Sequence, residues 1–240
     1  MDATTTSPLA ATNAVFARIA RDIGQQIANG LIPEGAFLPK EIELQEEFGV
    51  SRQAVREALK VLGAKGMIIA RKRAGTSVSP CKDWNLLDPD VLSWHAPRSL
   101  PDNVLRDLVG LRRVIEPFAV TLAAQNADAA SLDKIDTALD EMRIGTVDRD
   151  QFYKADIAFH LSIFEASGNS LVQRLSTIIA PLLMKSFDLQ KEAHEDLWQG
   201  YEVHAAVFDA IKSGNSLAAS AAMDVLLDRS TTEVYRSKAK

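Results

Sequence analysis

Two short amphipathic stretches, Glu41–Phe48 and Ser51–Lys65, are separated by a glycine and followed at once by a basic ribbon. No other feature constrains the fold of this chain as much. Leu44 and Phe48 share one face of the first stretch, and Val55, Leu59 and Leu62 share one face of the second. Gly49 supplies the tight turn, Ser51 is a helix cap, and Gly66 closes the second helix. Met67–Arg71 and Thr76–Val78 read as two strands with Ala74-Gly75 in the turn between them. Upstream, Ala14–Gly30 carries Val15, Ile19, Ile23 and Ile27 at helical spacing, and Pro33 and Gly35 mark the turn after it. Helix, tight turn, capped helix and ribbon in this order are a winged helix-turn-helix.

The second helix opens Ser51-Arg52-Gln53-Ala54-Val55-Arg56. Arginines in a first turn oppose the helix macrodipole at a cost of roughly 0.3–1 kcal/mol each. Such a cost points to a partner outside the chain. Phosphate oxygens and guanine edges fit, because the planar guanidinium fork matches both. Arg52, Gln53 and Arg56 are the expected major-groove contacts. Arg71, Lys72 and Arg73 on the ribbon are the expected backbone or minor-groove contacts. The bland alternative is a solvated charged face, and helix-turn-helix geometry also occurs in proteins that bind no DNA.

The net charge of −5 argues against DNA binding only if it is spread evenly, and it is not. Residues 1–80 hold ten Lys/Arg and eight Asp/Glu, whereas residues 81–240 hold seventeen and twenty-four. An acidic body therefore carries a basic head. The single Cys81 forms no intramolecular disulfide and excludes a cysteine-rich zinc site. No apolar run spans a bilayer, and Met1–Pro8 lacks the pattern of a signal peptide. A cytoplasmic protein is expected.

The expected organisation is a disordered arm over 1–13, the winged domain over 14–80, a linker over 81–101 and a helical domain over 102–236. The linker holds Trp84, Leu87, Val91, Leu92 and Trp94, too apolar for a free tether, so it is expected to pack on one or both domains. Beyond it no strand pattern emerges. Helices are expected at about 102–126, 131–144, 149–167, 170–190, 195–213 and 216–236, with Pro117 kinking the first. The fold class is mainly α: a winged helix-turn-helix plus an all-helical antiparallel bundle.

Leu38-Pro39-Lys40-Glu41-Ile42-Glu43-Leu44, with Phe48 through Leu59 and the continuation to Gly66, Gly75 and Thr76, resembles the GntR family of bacterial transcription regulators. By that resemblance Arg52, Gln53, Arg56 and the wing tip at Gly75 touch DNA. Many relatives carry an arginine where Ile42 stands and use it on DNA, so the operator here is expected to differ from the commonest type.

Asp156 and His160 are four residues apart on one helical face, and His204 lies on a later helix. Carboxylate and imidazole at that spacing can share a divalent cation, though such a pair is more often a surface hydrogen bond. The helical half resembles the FadR-type effector domain, the FCD branch of the family. The resemblance implies that Asp156, His160 and His204 are metal ligands for a Zn, Ni or Mn class ion. Leu226 stands where the branch places its fourth ligand, and His194 could act as a substitute, though spacing gives no reason to prefer it. Two readings stay open: a metal completed by water or effector oxygens, or a metal-free pocket whose residues bind the effector directly. The resemblance also turns Arg112 into the pocket, where it would grip a carboxylate bidentately. Glu116 orients that arginine or stabilises the bundle, and Trp198 walls the pocket or packs elsewhere.

The Trp84–Trp94 segment resembles sugar-acid-responsive members of the branch, which implies a galactonate-like effector held by Arg112, Asp156, His160 and His204. The expected function is a ligand-responsive regulator, a repressor that binds a palindromic double-stranded operator as a homodimer. The competing class is a metal-dependent enzyme acting on a small hydroxycarboxylate. Against it, no separate nucleophile, Gly-rich phosphate loop or His-Glu-x-x-His is present.

Overall fold

The computed structural model describes residues 8–72, 74–96, 100–190 and 196–238. The chain divides into two compact units, Met1–Leu100 and Pro101–Lys240.

In the first unit, α1 (Pro8–Ala28) begins ahead of the expected Ala14, and Ile19, Ile23 and Ile27 are buried along one side of it. α2 (Glu41–Phe48) starts where the Lys40 backbone N–H donates to Glu43 Oε2 at 2.7 Å. It stops at Gly49, whose φ of 63° is the left-handed conformation that glycine adopts without strain. Ser51 Oγ accepts from the Ala54 N–H at 3.3 Å and so caps α3 (Arg52–Ala64). Ala54, Val55, Ala58 and Leu62 of α3 meet α1 in the core, while Leu59 is only partly buried. β1 (Ile68–Arg71) and β2 (Gly75–Val78) pair antiparallel, with Ile68 opposite Val78 and Arg71 opposite Gly75. A single bridge from Phe37 to Ser77 adds a third contact to this ribbon.

The segment expected to be a linker is built into this unit. A short 3₁₀ turn, Cys81–Asp83, leads to α4 (Pro89–Trp94), which Asp88 caps. Trp84 and Trp94 join the same hydrophobic core as α1 and α3. Lys65, at the end of α3, places Nζ 2.7 Å from Asp88 Oδ1 and 2.8 Å from Asp90 Oδ2. Burial lowers the Lys65 pKa, but hydrogen bonds and charge from the two aspartates overcome this and raise it.

The second unit is a helical bundle: α5 (Asp102–Asn126), α6 (Ala129–Ile144), α7 (Arg149–Ala166), α8 (Ser170–Gln190), α9 (Leu197–Lys212) and α10 (Ser216–Lys238). Asp128, Asp148 and Asp196 cap α6, α7 and α9 with their carboxylates. Gly168 and Gly214, both at positive φ, end α7 and α9, and Asn169 and Asn215 then accept from the first turns of the following helices. α5 runs on through Pro117. α7 packs on α6, α8 and α5, and α10 packs on α5 and α9, so α7 sits inside the bundle. That position explains why α7 buries Phe159, Ile163 and Phe164 and also, against the usual preference, Asp156 and His160.

Candidate functional site

Five polar side chains meet inside the bundle. α7 contributes Asp156 and His160, α9 contributes His204, and α5 contributes Arg112 and Glu116. Each is more than nine-tenths buried, so their charges must be paired. His160 Nε2 and His204 Nε2 both stand 3.1 Å from Asp156 Oδ1. Glu116 Oε1 lies 2.5 Å from Arg112 Nε, and Glu116 Oε2 lies 2.7 Å from His160 Nδ1. The last pair is close but off the hydrogen-bonding direction, and both atoms lack a partner of good geometry among the described residues.

Burial would raise the pKa of both carboxylates, but neighbouring cations reverse this. Glu116 falls to about 2 beside Arg112 and His160, and Asp156 falls well below the carboxylate range beside His204 and His160. Burial would lower the His160 pKa, yet Glu116 and Asp156 push it up to about 9.

The tautomer of His204 follows from chemistry. Its Nδ1 lies 2.7 Å from the Gly200 carbonyl, which can only accept, so Nδ1 carries the proton. A neutral ring then turns its Nε2 lone pair on an Asp156 oxygen. Either a proton or a cation between them relieves that repulsion. A divalent metal about 2.0–2.2 Å from each ligand holds adjacent donor atoms about 3 Å apart. The 3.1 Å separations around Asp156 Oδ1 match that spacing, and all three donor atoms lie within 4.8 Å of one another. Two imidazoles and a carboxylate suit a Zn, Ni or Mn class ion. Leu226 of α10 lines the same cavity and adds no donor.

The cavity itself is small, about 30 Å³, and is also lined by Phe152, Tyr153 and Arg229. It holds about a water molecule or an ion. Tyr153 and Arg229 were missed in the sequence although helical spacing points to both. Tyr153 lies one turn before Asp156, and Arg229 one turn after Leu226. Trp198 is half exposed, donates from Nε1 to Glu202 at 3.0 Å and does not line this cavity. His194 lies outside the described residues.

In the first unit, Arg52, Gln53 and Arg56 are exposed on α3. The side chains of Arg52 and Arg56 are 69% and 60% exposed. Glu41, from the start of α2, reaches both: its carboxylate is 3.0 Å from Arg52 Nε and 3.6 Å from Arg56 Nε. Arg71 and Lys72 are exposed at the tip of the ribbon, and Gly75 follows at a φ of 93°. Arg73 lies outside the described residues. Ile42 is also exposed, beside Glu41.

The profile of the bacterial regulatory proteins of the gntR family matches residues 16–78, and that of the FCD domain matches residues 107–229. The galactonate operon transcriptional repressor of Escherichia coli (strain K12) is 34% identical over 222 residues, covering 89% of this chain and 94% of that protein. The Uxu operon regulator of Haemophilus influenzae is 30% identical over 223 residues, covering 88% and 78%. Among solved structures, that of Lar, which controls expression of the Listeria monocytogenes agr system, superposes with a TM-score of 0.63 at 19% identity, covering 98% and 99%. No helix among the described residues is long and apolar enough to cross a membrane.

Proposed function

The chain belongs to the gntR family of bacterial regulatory proteins and carries the FCD domain, and from that premise we propose a repressor of a sugar-acid operon that its effector releases from DNA. It is a DNA-binding transcription regulator rather than an enzyme, as its relatives are. In this proposal the effector is a hydroxylated carboxylate of the galactonate type. A homodimer sets two reading helices on the halves of a palindromic operator. Arg52, Gln53 and Arg56 meet the major groove, and Arg71, Lys72, Arg73 and Gly75 meet the backbone or minor groove. Arg112, Asp156, His160 and His204 receive the effector.

The observation that carries the effector reading is the buried cluster in which Arg112, Asp156, His160 and His204 line one cavity and Glu116 pairs with Arg112 and faces His160. A bundle needing only stability would fill that space with apolar side chains, because buried ion pairs rarely outdo them. The donor set would fit a divalent ion held by Asp156, His160 and His204, and Leu226, which lines the same cavity, would add no donor. Such an ion supplies a Lewis-acidic centre for the effector's carboxylate and hydroxyl oxygens. Glu116 engages Arg112 through Nε, which leaves the Nη atoms for a ligand carboxylate.

A cavity of about 30 Å³ is far below the roughly 300 Å³ or more of a small-molecule pocket. In this proposal the bundle opens as the sugar acid enters. That gives the effector the differential affinity for two states that any ligand-driven release requires. Calorimetry of the purified protein against a panel of aldonic and uronic acids, before and after chelation, tests this. Saturable binding of one stereoisomer that chelation abolishes is the expected result. Binding indifferent to chelation assigns the contact to Arg112 and the polar cluster alone, and no binding across the panel overturns the sugar-acid reading.

A further inference from the structure

Glu41 is the first residue of α2, where its charge suits the positive end of the helix macrodipole, but its carboxylate caps neither α2 nor α3. α2 starts on the Lys40–Glu43 contact, and α3 starts on Ser51, so neither cap needs the Glu41 carboxylate. That carboxylate instead crosses the turn and stands between the two arginines of the reading helix, 3.0 Å from one Nε and 3.6 Å from the other. All three side chains stay substantially open to solvent. Exposed ion pairs of this kind add little to stability and spend side-chain entropy in holding one geometry. Stability does not account for the arrangement.

Function at the DNA face does. We infer that Glu41 is the positioning and selectivity residue of this interface: it bonds Arg52 through Nε and stands within ion-pair distance of Arg56, so that the outer edges of both guanidinium forks face a base, and its charge discourages indiscriminate phosphate binding. This rests on the DNA-binding reading above. Arginine reads guanine through two parallel N–H donors aimed at O6 and N7, which requires the fork to be edge-on. On Arg52 a carboxylate bonded to Nε leaves the Nη edge for that task and disfavours a swing toward a phosphate. Glu41 and Arg56 also line the hollow between α3 and the ribbon together with Ile68 and Thr76, so the charge sits inside the footprint. Nonspecific affinity grows with the number of phosphates neutralised. One carboxylate shared by two arginines subtracts from that number. A correctly placed guanine returns the loss through base contacts, whereas a wrong sequence does not.

The test uses the full chain as wild type, Glu41→Gln and Glu41→Ala. Each is titrated across a salt series against two duplexes: one that the wild type enriches from a randomised pool, and one of the same composition in scrambled order. Both variants should bind the scrambled duplex about tenfold tighter, with a salt slope steeper by about one unit. The ratio of specific to nonspecific affinity should fall at least about tenfold in Glu41→Ala. Glu41→Gln keeps an acceptor and should recover part of that ratio but none of the slope. Thermal unfolding should be unchanged in both. An unchanged ratio and slope overturns the inference, as does equal weakening on both duplexes, which would mark a merely structural role. If the wild type enriches no duplex, the DNA-binding reading falls and this inference falls with it; if it enriches one and the variants behave like it, only this inference fails.

Discussion

His160 decides how the buried cluster responds to its surroundings. Its two ring nitrogens face two carboxylates, Glu116 at 2.7 Å and Asp156 at 3.1 Å. Between them the imidazole takes up a proton with a pKa of about 9. A histidine whose folded pKa exceeds its unfolded value stabilises the fold fully below about pH 6.5 and loses that contribution as pH climbs through about 9. For a fully buried ring this is worth up to about 3 kcal/mol. Glu116 acts at the other end, since its depressed pKa stabilises above its ordinary range and is lost as pH falls toward about 2. Chelator-treated protein should therefore melt progressively lower between pH 7 and about 9, and His160→Gln should flatten that trend. Equal slopes in the two proteins would mean that the proton on His160 does not hold the cluster. The spacing of Asp156 and His160 was legible in the sequence because helical periodicity alone puts them on one face. The contact of Glu116 with His160 was not, because it depends on how α5 and α7 are set against each other along their lengths. No local pattern encodes that offset. The size of the cavity was hidden for the same reason.

At the scale of elements, the 81–101 stretch was expected to be a linker too apolar for a free tether, packed on one or both domains. No period runs through it. Yet Asp88-Pro89 is a cap followed by proline in the first helical turn, the signature of a helix start, and α4 begins there. What ties α4 down is a close approach to α1. A Cβ built on Gly24 would stand 2.2 Å from the Trp94 ring, which is impossible without movement. Gly24 is thus a packing residue in mid-helix, where glycine otherwise costs about 1 kcal/mol against alanine. Asn29 adds a polar latch, accepting from the Ala96 N–H at 2.6 Å and donating to the Trp94 carbonyl at 3.1 Å. Gly24→Ala should destabilise the protein by about 1–3 kcal/mol, the usual range for overpacking. In a Trp94→Ala background the same substitution should be neutral or stabilising, because the clash is gone and helix propensity remains. Denaturant unfolding of the four proteins measures the coupling. Additive effects would show that the indole does not depend on the glycine. The helices at either side of Gly168 and Gly214 were legible to within a residue or two, because positive-φ glycines and capping asparagines are local signals.

At the scale of the molecule, the net positive charge lies in the first 80 residues, and the buried cluster lies in the other compact unit. A ligand in the cluster and a duplex on α3 therefore occupy different surfaces. If the effector acts by favouring an opened bundle, its influence on DNA is a coupling free energy with a finite size, commonly about 1–3 kcal/mol. Two consequences follow that simple displacement would not share. First, raising the sugar acid at fixed protein should weaken operator binding by about 5–150-fold and then level off, since past saturation no further coupling remains. Second, saturating operator should weaken sugar-acid binding by the same factor, because linkage is reciprocal for binding equilibria. Operator titrations by fluorescence anisotropy at several effector concentrations give the first number. Calorimetry of the effector with and without operator duplex gives the second. Equal factors and a plateau would establish a coupled pair of sites. Operator affinity that keeps falling in proportion to effector concentration would instead place the sugar acid on the DNA face itself, among Arg52, Arg56 and Glu41, and the buried cluster would lose its role as the sensor.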